Sequence, residues 1–443
     1  MNFFCFFARN LLLLQSNMSL LNFIQSSGVR NFTKLLSANV VAQVIGLLVY
    51  PILTRLFSPD DFGLLNLFMS IGGVLVVLST AEYYYAIVLP KDDRDANNVL
   101  GAGLLLLLAV TALVAISALF SGPISALFNA PKLASFYWLM PLYVLAIGAW
   151  NLLNYWYIRQ RKYSSISRYQ VSQNLFSAGG KLAFGYGGVM SGGMIYAVVI
   201  APLLSLFISL LRYRKQLSQS LRQITWTDVR QQAVEYCNFP CFVLPKSLIN
   251  MLAGQMPVLL LTPFFGSKAV GFLSLALLLG YTPIGTVTRA IYQVMYQSTM
   301  NRVHHSLPIG DIFRKFIIFT SALVLPVFAV LWFVLPDLTA WLLGAQWHLS
   351  GLYLRWMLPW LFVSLLSCSI NYLFDVFMQQ KWCLAFEIVL ALLRIMGLAI
   401  GVWAGNFLLA VICYSLATVL ALLLQIVWML LQVKRYDDGL KES

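Results

Sequence analysis

Acid is scarce in this chain, with 15 Asp and Glu in 443 residues against 29 Lys and Arg. Charged residues of both signs reach only 10%, where soluble domains carry about 25%. Too few polar groups remain to cover a water-facing surface, which excludes a soluble fold. Histidine is nearly absent: His304, His305 and His348 lie in loops, without Cys or carboxylate neighbours at ligand spacing. The six cysteines (Cys5, Cys237, Cys241, Cys368, Cys383, Cys413) lie mostly in or beside apolar runs. Cys237 and Cys241 lack a second Cys or His pair, so small apolar packing accounts for them better than zinc does. No Walker loop, nucleophile elbow or HExxH pattern occurs. That argues against ATP hydrolysis within the chain, and no cofactor or metal is expected.

What is present is hydrocarbon. Apolar residues make up 60% of the chain and the mean hydropathy is +0.81. Apolar runs fall near 35–57, 63–89, 99–121, 134–157, 167–189, 191–211, 240–265, 269–298, 314–336, 352–378, 382–403 and 406–433. A membrane-crossing helix needs about 20 residues, so these runs predict about twelve transmembrane helices. Helices satisfy their own backbone hydrogen bonds in lipid, and the runs are too long for barrel strands. The weakest run, 167–189, holds Lys181 and five glycines between Gly179 and Gly188; glycines at such spacing let helices approach closely, so it counts as a span.

Net charge is +14, and the basic residues collect on alternate loops. With the N-terminus inside, the cytoplasmic side receives Arg30 and Lys34, Lys91 and Arg94, the group from Arg159 to Arg168, and that from Arg212 to Arg230. It also receives Arg302, Arg314 and Lys315, Lys381, and the tail with Lys434, Arg435 and Lys441. The opposite loops hold little beyond Arg55, Lys132 and Lys268, so the positive-inside rule places both termini in the cytoplasm. No basic domain interleaved with aromatics is present, which discounts nucleic acid as a partner. The segments are 1–31, an N-terminal interfacial stretch; 32–211, six helices; 212–239, a basic amphipathic linker near lipid head groups; and 240–443, six helices and a short tail. The stretch 337–350 is the longest external loop and holds at most a small interfacial segment. Residues 1–17 are too short to span and lack a cleavage site, so the natural start is Met18 or the stretch lies on the membrane surface.

The halves share a signal. LTRLFSPDDFGLLNL at 53–67 matches LTPFFGSKAVGFLSL at 261–275 without a gap, at a constant shift of 208 (262 − 54). Thr54 meets Thr262 and Gly63 meets Gly271; beyond the segment Gly46 meets Gly254, Gly72 Gly280, Thr80 Thr288 and Tyr84 Tyr292. An even number of spans separates the copies, so the repeats are parallel. The expected fold is all-α integral membrane, two parallel six-helix lobes related by a pseudo-two-fold along the membrane normal with a cavity between them.

The segment Tyr50-Pro51-Ile52-Leu53-Thr54-Arg55-Leu56-Phe57-Ser58-Pro59-Asp60-Asp61-Phe62-Gly63 resembles the signature of bacterial polysaccharide-biosynthesis flippases. These belong to the multidrug/oligosaccharidyl-lipid/polysaccharide exporter (MOP) superfamily, and the architectural likeness extends over 32–435. The resemblance implies inversion of an undecaprenyl-diphosphate-linked oligosaccharide repeat unit from the cytoplasmic to the periplasmic leaflet of the inner membrane. It implies O-antigen, capsule or exopolysaccharide assembly, with membrane lipid, a polysaccharide polymerase and a chain-length regulator as partners. Peptidoglycan-precursor flippases of the superfamily have fourteen helices, which counts against that branch.

Ionisable groups within spans are costly and mark sites by default. Glu82, Lys181, Lys246, Arg289, Asp375, Glu387 and Arg394 lie inside apolar runs, with Arg55 and Arg355 near external ends. Lys181, Lys246, Arg289, Arg394 and Arg55 suit a diphosphate, since cations stabilise its charge and an Arg fork donates two hydrogen bonds at once. Structural ion pairs or snorkelling side chains are the alternative. Glu82 and Asp375 suit proton coupling or the neutralising of a nearby cation; Glu387, one turn inside its helix, suits the latter. Pro51, Pro245, Pro257 and Pro283 fall inside long helices and invite kinks. Pro257 and Pro263 with Gly254 mark the seventh span as the gate helix. Two competing functions are a cation-coupled multidrug exporter of the same superfamily, which would want an acidic cavity, and a membrane glycosyltransferase or polysaccharide polymerase, which would want a large periplasmic loop.

Overall fold

The computed structural model describes residues 49–442 apart from 190, 191, 223 and 369. The N-terminal stretch, the alternative start at Met18, and Gly46 therefore lie outside the described residues. The first apolar run is helical over 49–56, where it enters them. There follow α1 (Pro59–Thr80), a 3-10 turn (Tyr83–Val88), α2 (Asp93–Ser117), α3 (Ser121–Leu127), α4 (Ala134–Tyr137), α5 (Met140–Arg159), α6 (Tyr163–Tyr186) and α7 (Gly193–Arg222). After α8 (Trp226–Glu235) come α9 (Leu244–His304), α10 (Gly310–Leu343), α11 (His348–Cys368), α12 (Leu373–Val376), α13 (Gln380–Trp403) and α14 (Phe407–Glu442).

Eight helices of the described residues are long and apolar enough to cross a membrane, and the pair Pro131–Tyr137 and Met140–Arg159, bent by 59°, makes nine. Gly266, at φ 76° and ψ 170°, divides α9 into two spans. The 24-residue α6 is long enough but too polar to count by hydropathy. With it the described residues hold eleven spans, five before the linker and six after it, beside the described end of the first run. The structure is all-α and two-lobed, and the repeat is visible in the packing. A Cβ on Gly72 would lie 2.6 Å from the Tyr143 ring of α5, and one on Gly280 would lie 2.8 Å from Leu361 of α11. Equivalent helices thus press on equivalent glycines. A continuous apolar core runs from Leu53 and α1 through α9 into α14, and a second cluster fills the N-lobe around Trp150, Tyr157 and Tyr169.

The motif at 58–63 has a local cause. Ser58 Oγ accepts from the Asp61 amide at 3.3 Å and Asp61 Oδ2 accepts from the Ser58 amide at 3.0 Å. With Pro59 at the first helical position and two acids in the first turn, the segment is a capping box that starts α1.

Three expectations change. The second span stops at Thr80, because Ala81 and Glu82 adopt left-handed backbone (φ 44° and 63°), and the run 63–89 ends as a 3-10 turn. The stretch 337–350 is no separate segment: α10 continues to Leu343 and α11 begins at His348, because the buried Trp347 pins the turn between them. The linker is partly a continuation of α7, which reaches Arg222 past a non-helical Tyr213. Its remainder, α8, docks on α2 through buried Val229 and an Arg94–Asp228 pair at 2.8 Å. The face bearing these basic segments is called the basic face below, and the opposite one the far face.

Candidate functional site

At the far face the lobes touch backbone to backbone. A Cβ on Gly63 would lie 1.8 Å from the Ser267 carbonyl oxygen, and one on Gly271 would lie 1.7 Å from that of Pro59. The shift of 208 carries one contact onto the other (63 to 271, 59 to 267), so the seal is self-complementary about the pseudo-two-fold. Ser267 Oγ donates to Asp60, whose carboxylate also holds Lys132 Nζ at 2.7 Å. Trp347 Nε1 and Gln346 Nε2 both donate to the Thr54 carbonyl, at 2.8 and 2.9 Å. The Trp347 indole is 0% exposed and meets Phe62 of the N-lobe at 4.9 Å and Phe272 of the C-lobe at 5.8 Å. Trp347→Ala is expected to cost about 3–5 kcal/mol. Thermal unfolding of the purified protein in detergent would register that loss, and an unchanged melting temperature would contradict the seal.

Three of the five cations lie in the C-lobe. Arg394 on α13 is half-buried; its Nε donates to Thr418 Oγ1 at 3.1 Å, and its guanidinium lies over the rings of Trp360 (5.8 Å) and Tyr414 (5.4 Å). Arg289 is exposed and shares a helical face of α9 with Tyr281, Tyr292 and Tyr296. That face turns into the C-lobe, since Tyr281 meets Trp360 at 5.0 Å and Tyr292 meets Tyr372 at 5.6 Å. Tyr281 is also within electrostatic reach of Arg394. Exposed Lys246, at the start of α9, gathers with Asp375 and Glu387 around Cys383 near the basic face. Lys181 stands apart, half-buried on α6 of the N-lobe, and Arg55 is exposed at the far end of the first span. The structure thus does not bring the five cations into one cluster. The ion pairs of the described residues are Arg94–Asp228, Lys132–Asp60, Arg159–Asp93 and His348–Asp337, and none involves these five. Arg355 lies over Trp332 at 5.7 Å, its Nε without a partner.

The two acids differ. Asp375 is exposed on α12, near Tyr292. Glu82 is 1% exposed, held in its left-handed turn, with Tyr84 and, across the lobes, Ser247 of α9 near its carboxylate. Its Oε2 has no partner. Beside it Tyr84, Tyr85 and Tyr155 form an aromatic cluster with ring centroids 4.5–5.1 Å apart. The expected gate helix stays helical through Pro257 and Pro263, with its non-helical backbone at Gly266 instead. Each proline forfeits one hydrogen bond, a loss that neighbouring membrane helices tolerate. Gly254 has open space beside it, and Ser70 Oγ donates to Gln255 at 2.7 Å, tying α1 to this helix.

Reasoning from charge overlooked a set of amides. Gln170, Gln173 and Asn174 with Ser177 lie on α6, and Asn154 on α5. The low hydropathy of 167–189 was the signal that could have found them.

Solved structures share this architecture. The lipid II flippase MurJ in an inward closed conformation matches with TM-score 0.61 and 13% identity over 90% of each chain. A crystal structure of MATE in complex with MaL6 gives 0.55 and 16% over 95% of this chain and 100% of that one. An outward-facing multidrug resistance MATE family transporter of the MOP superfamily gives 0.53 and 16% over 92% and 95%. The likeness to these structures is one of fold. No curated protein sequence matches the chain. The polysaccharide biosynthesis protein family matches residues 52–351, and the chain belongs to that family.

Proposed function

We propose that this protein is a flippase. It moves undecaprenyl-diphosphate-linked oligosaccharide units from the cytoplasmic to the periplasmic leaflet of a bacterial inner membrane by alternating access, for O-antigen, capsular or exopolysaccharide assembly. The observation that carries this reading is Arg394, a half-buried guanidinium within a span, seated in the C-lobe on Thr418, Trp360 and Tyr414 with no carboxylate in an ion pair to it among the described residues; exposed Arg289, on the tyrosine-bearing face of α9, is its second member. A charge at that depth is costly unless an anion meets it, and a diphosphate is a fitting anion. The basic face is the cytoplasmic one, where the polar cargo enters, and the far-face seal is the closed periplasmic exit. Lys246 and Lys181 extend the positive field towards the two ends of the path. Glu82, buried between the lobes with one oxygen unpaired, suits proton coupling, and Asp375 is the second candidate for it. Gly254, Pro257 and Pro263 belong to the moving helix, which α1 grips through Ser70. A polymerase and a chain-length regulator on the periplasmic side would receive the product.

Deletion of the gene is expected to abolish surface polysaccharide and leave lipid-linked units accumulating in the inner leaflet. Normal polysaccharide in a strain without a second flippase would overturn the proposal. Drug sensitivity with intact glycans would favour a multidrug exporter instead.

A further inference from the structure

The polar side chains of α6 form one stripe. Gln170, Gln173, Asn174, Ser177 and Lys181 recur at helical spacing and span about 16 Å along the axis. The remaining faces of this helix are occupied. Ser172 bonds Ser205 of α7 at 3.0 Å, and Gly180 packs on Ala197 of the same helix. Leu175 and Tyr186 are exposed on the outer side, at 51% and 73%. On the other flank Gly185 packs against Leu56 and Phe57 of the first span. The stripe therefore faces the interior of the N-lobe, bounded by α7 and the first span. The neighbouring α5 meets α6 where Trp150 stacks on Tyr169 at 3.3 Å, and it carries Asn154 one turn further on, one residue before Tyr155 of the tyrosine cluster.

Two of these groups lack partners. Gln170 Oε1 and Asn154 Oδ1 are fully buried acceptors with no hydrogen bond. Asn174 is exposed, and its Nδ2 donates to the backbone carbonyl of Gln170 at 2.9 Å. Buried polar groups are normally satisfied, and polar side chains within membrane spans are costly, so these two unsatisfied acceptors and the polar side chains in line with them call for an occupant that supplies donors and acceptors together. A phosphate supplies acceptors alone. A sugar hydroxyl supplies both, and an amide matches both with its oxygen and its NH₂. The tyrosine rings add flat apolar faces for the C–H side of a pyranose.

We infer that the α6 stripe and Asn154 form a carbohydrate-binding wall in the N-lobe, separate from the cationic C-lobe that takes the diphosphate. This rests on the flippase reading, whose cargo carries both parts. The amides of the wall read hydroxyls, Lys181 at its far end extends the positive field, and the C-lobe guanidinium groups hold the diphosphate, so the lobes recognise different ends of one head group.

The test uses purified protein in nanodiscs and two probes: undecaprenyl diphosphate alone, and the lipid-linked unit isolated from a deletion strain. Gln170→Ala combined with Asn174→Ala, and separately Asn154→Ala, should weaken binding of the glycosylated lipid by about ten-fold or more. Affinity for the bare lipid should stay unchanged, which also shows that the variants fold. Leu175→Ala, on the outer side, should alter neither. Equal loss for both lipids, or no loss for either, would overturn the carbohydrate wall and leave the diphosphate site standing. Binding of neither lipid by the wild-type protein would overturn the flippase reading itself, and the wall with it.

Discussion

Gly271→Val is expected to abolish transport and hold the far face open. Its Cβ alone would stand 1.7 Å from the Pro59 carbonyl oxygen and 2.9 Å from the Gly63 amide nitrogen. Both are backbone atoms, so no rotamer change can make room, and the lobes must separate. Gly63→Val should do the same, since its Cβ would meet the Ser267 carbonyl oxygen at 1.8 Å. Gly122→Val, with nothing within 4 Å, is the matched substitution that should be tolerated. Two measurements check this. Surface polysaccharide should vanish in the first two variants and persist in the third. A cysteine placed at Thr262, which is 0% exposed, should react with a membrane-impermeant maleimide only when Gly63 or Gly271 is replaced. Wild-type transport by Gly271→Val would mean that the seal is not part of the cycle.

The second large effect concerns charge. Each hydrogen bond to an ionised group contributes roughly 1.5–3 kcal/mol, so Arg289→Gln with Arg394→Gln should lower affinity for undecaprenyl diphosphate about a hundred-fold or more. Arg394→Lys should rescue only part of this. Lysine keeps the charge but loses the planar fork and its packing over Trp360 and Tyr414. Vesicle binding at increasing ionic strength separates the two contributions. Undiminished binding by the double variant would remove the cationic site from the proposal.

Much of the architecture was legible beforehand, and particular residues show where legibility stopped. Aligning the halves placed Gly63 and Gly271 in one register, yet nothing in the alignment said that they touch each other. Arg394 was visible as a charge in mid-span, whereas its seat on Thr418, Trp360 and Tyr414 joins four separate helical positions on three elements. Glu82 was read within a continuous span, because left-handed backbone at Ala81 and Glu82 has no strong signature in residues other than glycine. The amides of α6 were passed over because amides carry no charge, although they made that run the least apolar of the set. Trp347 read as part of a loop; only the meeting of Phe62 and Phe272 from opposite lobes made it a plug.

The sequence by itself determined how many helices cross the membrane, where the basic loops fall and that the chain repeats, because hydrophobic length and residue order are local properties of a strand of polymer in lipid. Only the tertiary structure decided which side of each helix looks inward, which glycines seal the lobes, and which polar groups remain without partners. Those outcomes depend on the rotation of one helix against its neighbours, and in a bilayer, where lipid tails are as apolar as leucine, close packing and hydrogen bonding set that rotation more than hydrophobicity does.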